Sequence, residues 1–157
     1  MASSPFADSM RLALDEARLA DDKGDVPIGA VIVAADGRVV SRGHNQRESL
    51  GDPTAHAEVV AIRAAADAVG SWHLEGLTLV VTLEPCTMCG GAIVLSRLAQ
   101  VVYGAADPKA GAVGSLWDVV RDRRLNHRPE VISGVLDAEC GAVLRRWFDA
   151  KRVVGSG

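Results

Sequence analysis

Residues 77–83 limit the folding of this chain more than any other segment. They read Leu-Thr-Leu-Val-Val-Thr-Leu, with no charge on either alternating face. Such a run fits a strand buried on both sides, which implies a sheet covered front and back. The flanking sequence offers the covering helices. Ser4-Pro5 reads as an N-cap followed by proline at the first helical position. Phe6, Met10, Ala13, Leu14 and Ala17 then recur at helical spacing to about residue 20, with Gly24 as the stop. Residues 28–34 and 38–43 read as strands joined by a tight Asp36-Gly37 turn. A polar loop over 44–54 leads to an alanine-rich helix over 55–69. Beyond the central strand, Pro85 opens a helix to about residue 98, and 100–103 is a short strand. A Gly/Ala-rich loop over 105–115, a short helix and a strand over 131–135 follow. A last helix runs from 137 to about 153, and residues 153–157 read as a frayed tail.

Strands that alternate with helices in this order give an α/β fold, a three-layer α/β/α domain around a central mixed five-stranded sheet. Its first hairpin is antiparallel and its later crossovers are parallel. No repeat or linker divides the 157 residues, so 1–157 reads as one domain. Aromatic residues make up only 4% of the chain, so Ala, Val, Leu and Ile must fill the core. No apolar run reaches the ~18 residues of a bilayer span. The first five residues lack the charged start and apolar stretch of a signal peptide, so the expectation is a cytoplasmic protein with no membrane partner.

Chemistry concentrates in two short segments, His56-Ala57-Glu58 and Pro85-Cys86-Thr87-Met88-Cys89. Both fall at helix starts, where unpaired N–H groups and the positive dipole end lower a thiol's pKa. Cys-x-x-Cys brings two sulfurs to one side of a single turn, and His56 can add a third ligand. Three protein ligands leave one tetrahedral position for water, the pattern of a catalytic zinc centre. Glu58, two residues after His56, points away from the ligand direction. That suits a general base toward the water and then a general acid toward a leaving amine. Cys-x-x-Cys alone also suits a redox pair or half of a structural zinc site. A redox pair, however, usually follows the first strand of its unit, and this one follows the third. A structural site needs a fourth ligand, and His44, His73, His127 and Cys140 lie at no paired ligand spacing. Cys140 sits in a helical apolar pattern and reads as a small core residue, and the odd cysteine count argues against a disulfide framework. Taken together, His-x-Glu and Pro-Cys-x-x-Cys make up the signature of zinc base deaminases.

Over nearly all its length the chain resembles the bacterial tRNA-specific adenosine deaminases, within the cytidine/deoxycytidylate deaminase superfamily. The resemblance is carried by residues 25–31 (Asp-Val-Pro-Ile-Gly-Ala-Val), 52–58, 81–92, the loop 104–116 and Asn126-His127-Arg128. The first three segments are shared with other purine and pyrimidine deaminases; the last two are more particular to the tRNA enzymes. The resemblance implies a cytidine-deaminase-like fold and one zinc ion per chain, held by His56, Cys86 and Cys89, with Glu58 as the proton shuttle. It implies that Asn45 hydrogen-bonds the flipped base and that Asp107 contacts the anticodon ribose-phosphate. It further implies a homodimer acting on a tRNA anticodon stem-loop and converting wobble adenosine to inosine. Two positions depart from the pattern: Ala106, where the family is often basic, and Pro108.

Read without the resemblance, Asn45 suits a turn and Asp107 suits a cap before Pro108. Net charge is only −3, but residues 121–157 carry eight Lys/Arg against five Asp/Glu, which fits a local phosphate-facing surface. Of the adjacent aromatics Trp147 and Phe148, one is expected in the core and the other free to border RNA. The rival functions are a free-base or nucleotide deaminase, for guanine or cytosine, and a silent RNA-binding subunit. The basic C-terminal helix and the Asp107 loop argue against the first, and the intact Glu58 argues against the second.

Overall fold

The computed structural model describes residues 4–155. Its elements are α1 (Ala7–Asp22), β1 (Gly29–Val33), β2 (Val39–His44), α2 (Arg47–Leu50), α3 (Ala57–Val69), β3 (Thr78–Leu83), α4 (Thr87–Leu95), β4 (Gln100–Ala105), β5 (Glu130–Ile132) and α5 (Asp137–Gly155). The strands form one sheet in the order β2-β1-β3-β4-β5. β1 pairs antiparallel with both β2 and β3, while β3, β4 and β5 run parallel. The sheet is mixed and five-stranded, as expected, and β3, at its centre, is buried on both faces through Thr82.

Two apolar layers flank the sheet. On one side, Met10, Ala13 and Leu14 of α1 and Cys140 of α5 pack on Val31, Val33, Val80 and Val102. On the other, Ala57, Ala61 and Ala65 of α3 and Ile93 of α4 pack on Ala30, Ile32, Leu79, Val81 and Val101. Small residues in helix and strand let the backbones approach closely. At Gly43 a Cβ would stand 2.7 Å from the Ala57 carbonyl oxygen and from the Ala61 nitrogen. The first turn of α3 therefore rests directly on β2, which fixes where His56 projects.

Several element boundaries differ from the expectation, for local reasons. α1 begins at Ala7, because Ser4 forms a turn in which its Oγ accepts the Phe6 N–H (3.1 Å); Pro5 lies before the helix. α3 begins at Ala57 and α4 at Thr87, with His56 and Cys86 as extended cap residues. Pro85 stays outside α4, its carbonyl accepting the Ala112 N–H (2.8 Å). α4 ends at Leu95, short of the expected 98, and Arg97 turns the chain at φ +62°. The polar loop after β2 contains the short helix α2, whose N-terminal Glu48 and Ser49 N–H groups donate to the buried Asp25 carboxylate (2.6 and 3.2 Å). No helix forms between 116 and 130. Turns held by the Arg121–Asp118 and Arg124–Asp122 pairs occupy that stretch. β5 covers only 130–132, and α5 stays helical to Gly155, so the expected tail is helical backbone that far; Ser156 and Gly157 lie outside the described residues. Among the described residues, no helix is long and apolar enough to cross a membrane.

Candidate metal centre and substrate groove

α3 and α4 start side by side, and their cap residues meet. His56 Nδ1 lies 3.6 Å from Cys86 Sγ and 3.5 Å from Cys89 Sγ, and the three candidate ligand atoms all fall within 4.8 Å of one another. Zinc bonds of about 2.0–2.1 Å to nitrogen and about 2.3 Å to sulfur, set at the tetrahedral angle, require an N···S edge of about 3.5 Å. Both N···S distances match that edge, and among the described residues no other His/Cys/Asp/Glu group gathers in this way. The other histidines are used elsewhere. His44 meets Glu16 (3.3 Å), His73 stacks on Trp72, and His127 donates from Nε2 to the Leu98 carbonyl (2.7 Å). Cys140 is buried in the core, as expected.

Of the two thiols, Cys86 carries the thiolate and Cys89 the proton. A hydrogen bond with Cys89, helped by His56, holds the Cys86 thiol far down, to about 3, against the cost of partial burial. The shared proton raises Cys89 instead, and the bond to Cys86 raises His56. Glu58 sits in the first turn of α3, only 4% exposed, outside the ligand triad but against Cys89. Burial pushes its carboxyl up to about 7, where it can both take and give a proton near neutrality.

A small cleft of about 100 Å³ opens at His56, lined also by Val26, Ile28, Asn45, Arg47 and Ala57. Asn45 is buried there. Its Nδ2 donates to the Val26 carbonyl (3.3 Å), and its Oδ1 accepts the Arg47 N–H (3.1 Å). The turn role open to asparagine is thus filled in the same place that exposes it to the cleft. Val26 also belongs to a larger groove of about 1060 Å³ between the 105–109 loop and α5. Asp107, Lys109, Arg145, Phe148, Lys151 and Arg152 line this groove, and it contains none of the three ligands. Asp107 Oδ1 caps its own turn by accepting the Lys109 and Ala110 N–H groups (3.0 and 3.2 Å). Of the aromatic pair, neither joins the core, where one is expected: Phe148 borders the groove, 47% exposed, and Trp147 is half-buried beside Lys151.

The sequence reading missed Glu84. It is 3% exposed, and its carboxylate accepts the Asp107, Val113 and Ser115 N–H groups (each 3.0 Å) and the Ser115 hydroxyl. The one signal was an acid closing an apolar strand directly before Pro-Cys, since a glutamate is rarely buried there without partners.

A mixed sheet carrying a three-ligand His/Cys cluster on two helix starts, with a buried carboxyl beside it, defines a zinc-binding deaminase. Comparison with known proteins agrees. Residues 5–105 match the family described as the cytidine and deoxycytidylate deaminase zinc-binding region. The tRNA-specific adenosine deaminase of Bacillus subtilis (strain 168) is 52% identical over 88% of this chain and 86% of its own length. A structure from a study of A-to-I editing by tRNA:A34 deaminases superposes with a TM-score of 0.82 at 48% identity, over 86% of this chain and 97% of that one. A guanine deaminase from Nitrosomonas europaea superposes at 0.75 with 25% identity, over 94% and 86%. The chain belongs to the cytidine and deoxycytidylate deaminase family, in the branch of the tRNA-specific adenosine deaminases.

Proposed function

We propose that this protein hydrolyses the 6-amino group of adenosine to give inosine at the wobble position of a tRNA anticodon. One observation carries the reading: Val26 lines both the cleft at the ligand His56 and a groove bordered by Lys109, Arg145, Lys151 and Arg152. A free base needs only the cleft. A base carried on a polyanion also needs the cationic groove.

The roles follow from position. His56, Cys86 and Cys89 hold zinc, which when bound supplies an activated water at neutral pH. Glu58 would take one proton from the attacking water and deliver it to the purine ring, then take the second from the hydroxyl newly bonded to C6 and pass it to the amine, which leaves as ammonia. Asn45 orients the base through the Nδ2 hydrogen not given to Val26. Asp107 contacts the adjoining ribose-phosphate, with Lys109 supplying the positive charge that Ala106 lacks. Splayed loop bases find an apolar wall in Phe148. We take 1–157 as one deaminase domain, working in the cytoplasm where tRNA is found.

Phosphate contacts release counterions, so RNA affinity falls with salt. Reversing the charge at Arg145 and Lys151 together is expected to weaken stem-loop binding and flatten the log–log salt dependence by about 1.4, at ~0.7 for each single-strand phosphate no longer neutralised. Zinc content should not change. Salt-titrated binding of wild type and double variant measures this; an unaltered slope would take these residues out of the RNA interface.

The homodimer belongs to the same reading. α4 turns an apolar face outward, with Met88 at its rim, Leu95 70% exposed, and open space where Gly91 would carry a Cβ. Gly90, by contrast, is explained within the chain, since a Cβ there would meet Val119 at 2.6 Å. A second copy of α4 can approach closely along Met88, Gly91 and Leu95. Sedimentation at micromolar concentration should show a dimer, and Leu95→Glu should shift it toward monomer. A monomeric wild type would contradict the assembly.

A further inference from the structure

We infer that Glu84 is a positioning residue for substrate binding, a role that rests on the functional reading above. It sits where β3 ends, two residues before the ligand Cys86, and holds both sides of the site together. Its backbone N–H donates to the Ala105 carbonyl (2.9 Å), and Pro85 accepts the Ala112 N–H (2.8 Å). Its carboxylate gathers the loop beyond. Oε1 accepts the Asp107 N–H and the Ser115 hydroxyl, and Oε2 accepts the Val113 and Ser115 N–H groups. The loop is wound so tightly around this carboxylate that Gly111 has no room for a side chain. A Cβ there would collide with the Glu84 carboxyl carbon and stand 2.5 Å from the Asp107 carbonyl oxygen. The same loop presents Asp107 and Lys109 to the groove. Glu84 thus sets the wall that meets the substrate without itself lining the groove or joining the metal cluster.

Only a carboxylate fits. Every group facing it is a donor, and three are backbone N–H groups that cannot reverse. In Glu84→Gln the amide NH2 must face at least one of them in either orientation, leaving a buried N–H without an acceptor. The loop then loosens while the ligands stay in place.

The test compares Glu84→Gln and Gly111→Ala with wild type, using zinc-loaded full-length protein and an anticodon stem-loop containing the wobble adenosine. Gly111→Ala displaces the same loop without altering charge or the segment before Cys86, so it decides the matter should Glu84→Gln fail to fold. Both variants are expected to keep wild-type zinc content and a kcat within about threefold, while KM rises at least about tenfold. Amide hydrogen exchange should quicken about tenfold at Asp107, Val113 and Ser115 and stay unchanged in α3 and α4. An unmoved KM, a loss confined to kcat, or loss of zinc would overturn the role. Should wild type ignore the stem-loop, the functional reading fails instead, and amide exchange alone still decides whether Glu84 anchors the loop.

Discussion

Glu58→Gln is expected to lower kcat on the stem-loop at least ~100-fold while the protein keeps about one zinc per chain. Glutamine has the size of glutamate but cannot carry the proton from water to ring and leaving amine. The expectation separates two duties, holding the metal and moving the proton. Glu58 lies outside the His56-Cys86-Cys89 triad and adjoins it through Cys89, so it can move a proton without being a ligand. Its burial removes the usual escape, since bulk water cannot readily replace a proton carrier that is 4% exposed. Single-turnover kinetics with metal analysis of the same sample measure both quantities. Zinc lost together with activity would show Glu58 to be a ligand; full turnover with zinc retained would move the proton chemistry elsewhere.

Cys86→Ser is expected to remove zinc and activity together, with a loss at least as large as that of Glu58→Gln. Serine preserves the cap position of α4 and a hydrogen-bonding group, so the fold should survive. What it removes is the soft thiolate: Cys86 is the ligand held ready, down to about 3, whereas a serine hydroxyl stays protonated at neutral pH. Three ligands become two, too few for a tight site. Metal analysis, circular dichroism and turnover distinguish the outcomes. A folded, zinc-loaded and active Cys86→Ser would remove Cys86 from the site, and stripping zinc from wild type with a chelator should abolish activity until zinc is restored.

The fold was legible wherever hydrophobic pattern set the outcome. β3 had to lie centrally because neither of its faces tolerates water, and the alanine spacing of α3 matches the face it lays on β2. The metal triad was legible because ligand chemistry demands particular residue types at helix starts. Helix starts themselves were misplaced by two residues, because Pro85 and Ser4 favour a helix locally while tertiary bonds use them otherwise. Ser4 closes a turn on Phe6, and Pro85 gives its carbonyl to Ala112. α2 stayed hidden for a similar reason. Its N-terminal donors are satisfied by Asp25, more than twenty residues upstream, where no local cap motif shows. Glu84 escaped notice because its meaning lies in a loop brought back to it from 23 to 31 residues away, a long-range closure that no short window contains. The short helix expected before the last strand does not form, because charged pairs close turns there instead.

The central claim is that the cleft and the cationic groove act on one substrate, an adenosine presented by an anticodon loop. Turnover by the zinc-loaded protein of a stem-loop bearing the wobble adenosine, set beside free adenine, guanine and cytosine, tests it most directly. The account predicts inosine at the wobble position, little turnover of any free base, and activity that declines as salt rises. Efficient deamination of a free base with the stem-loop untouched would contradict it and leave only the zinc chemistry standing.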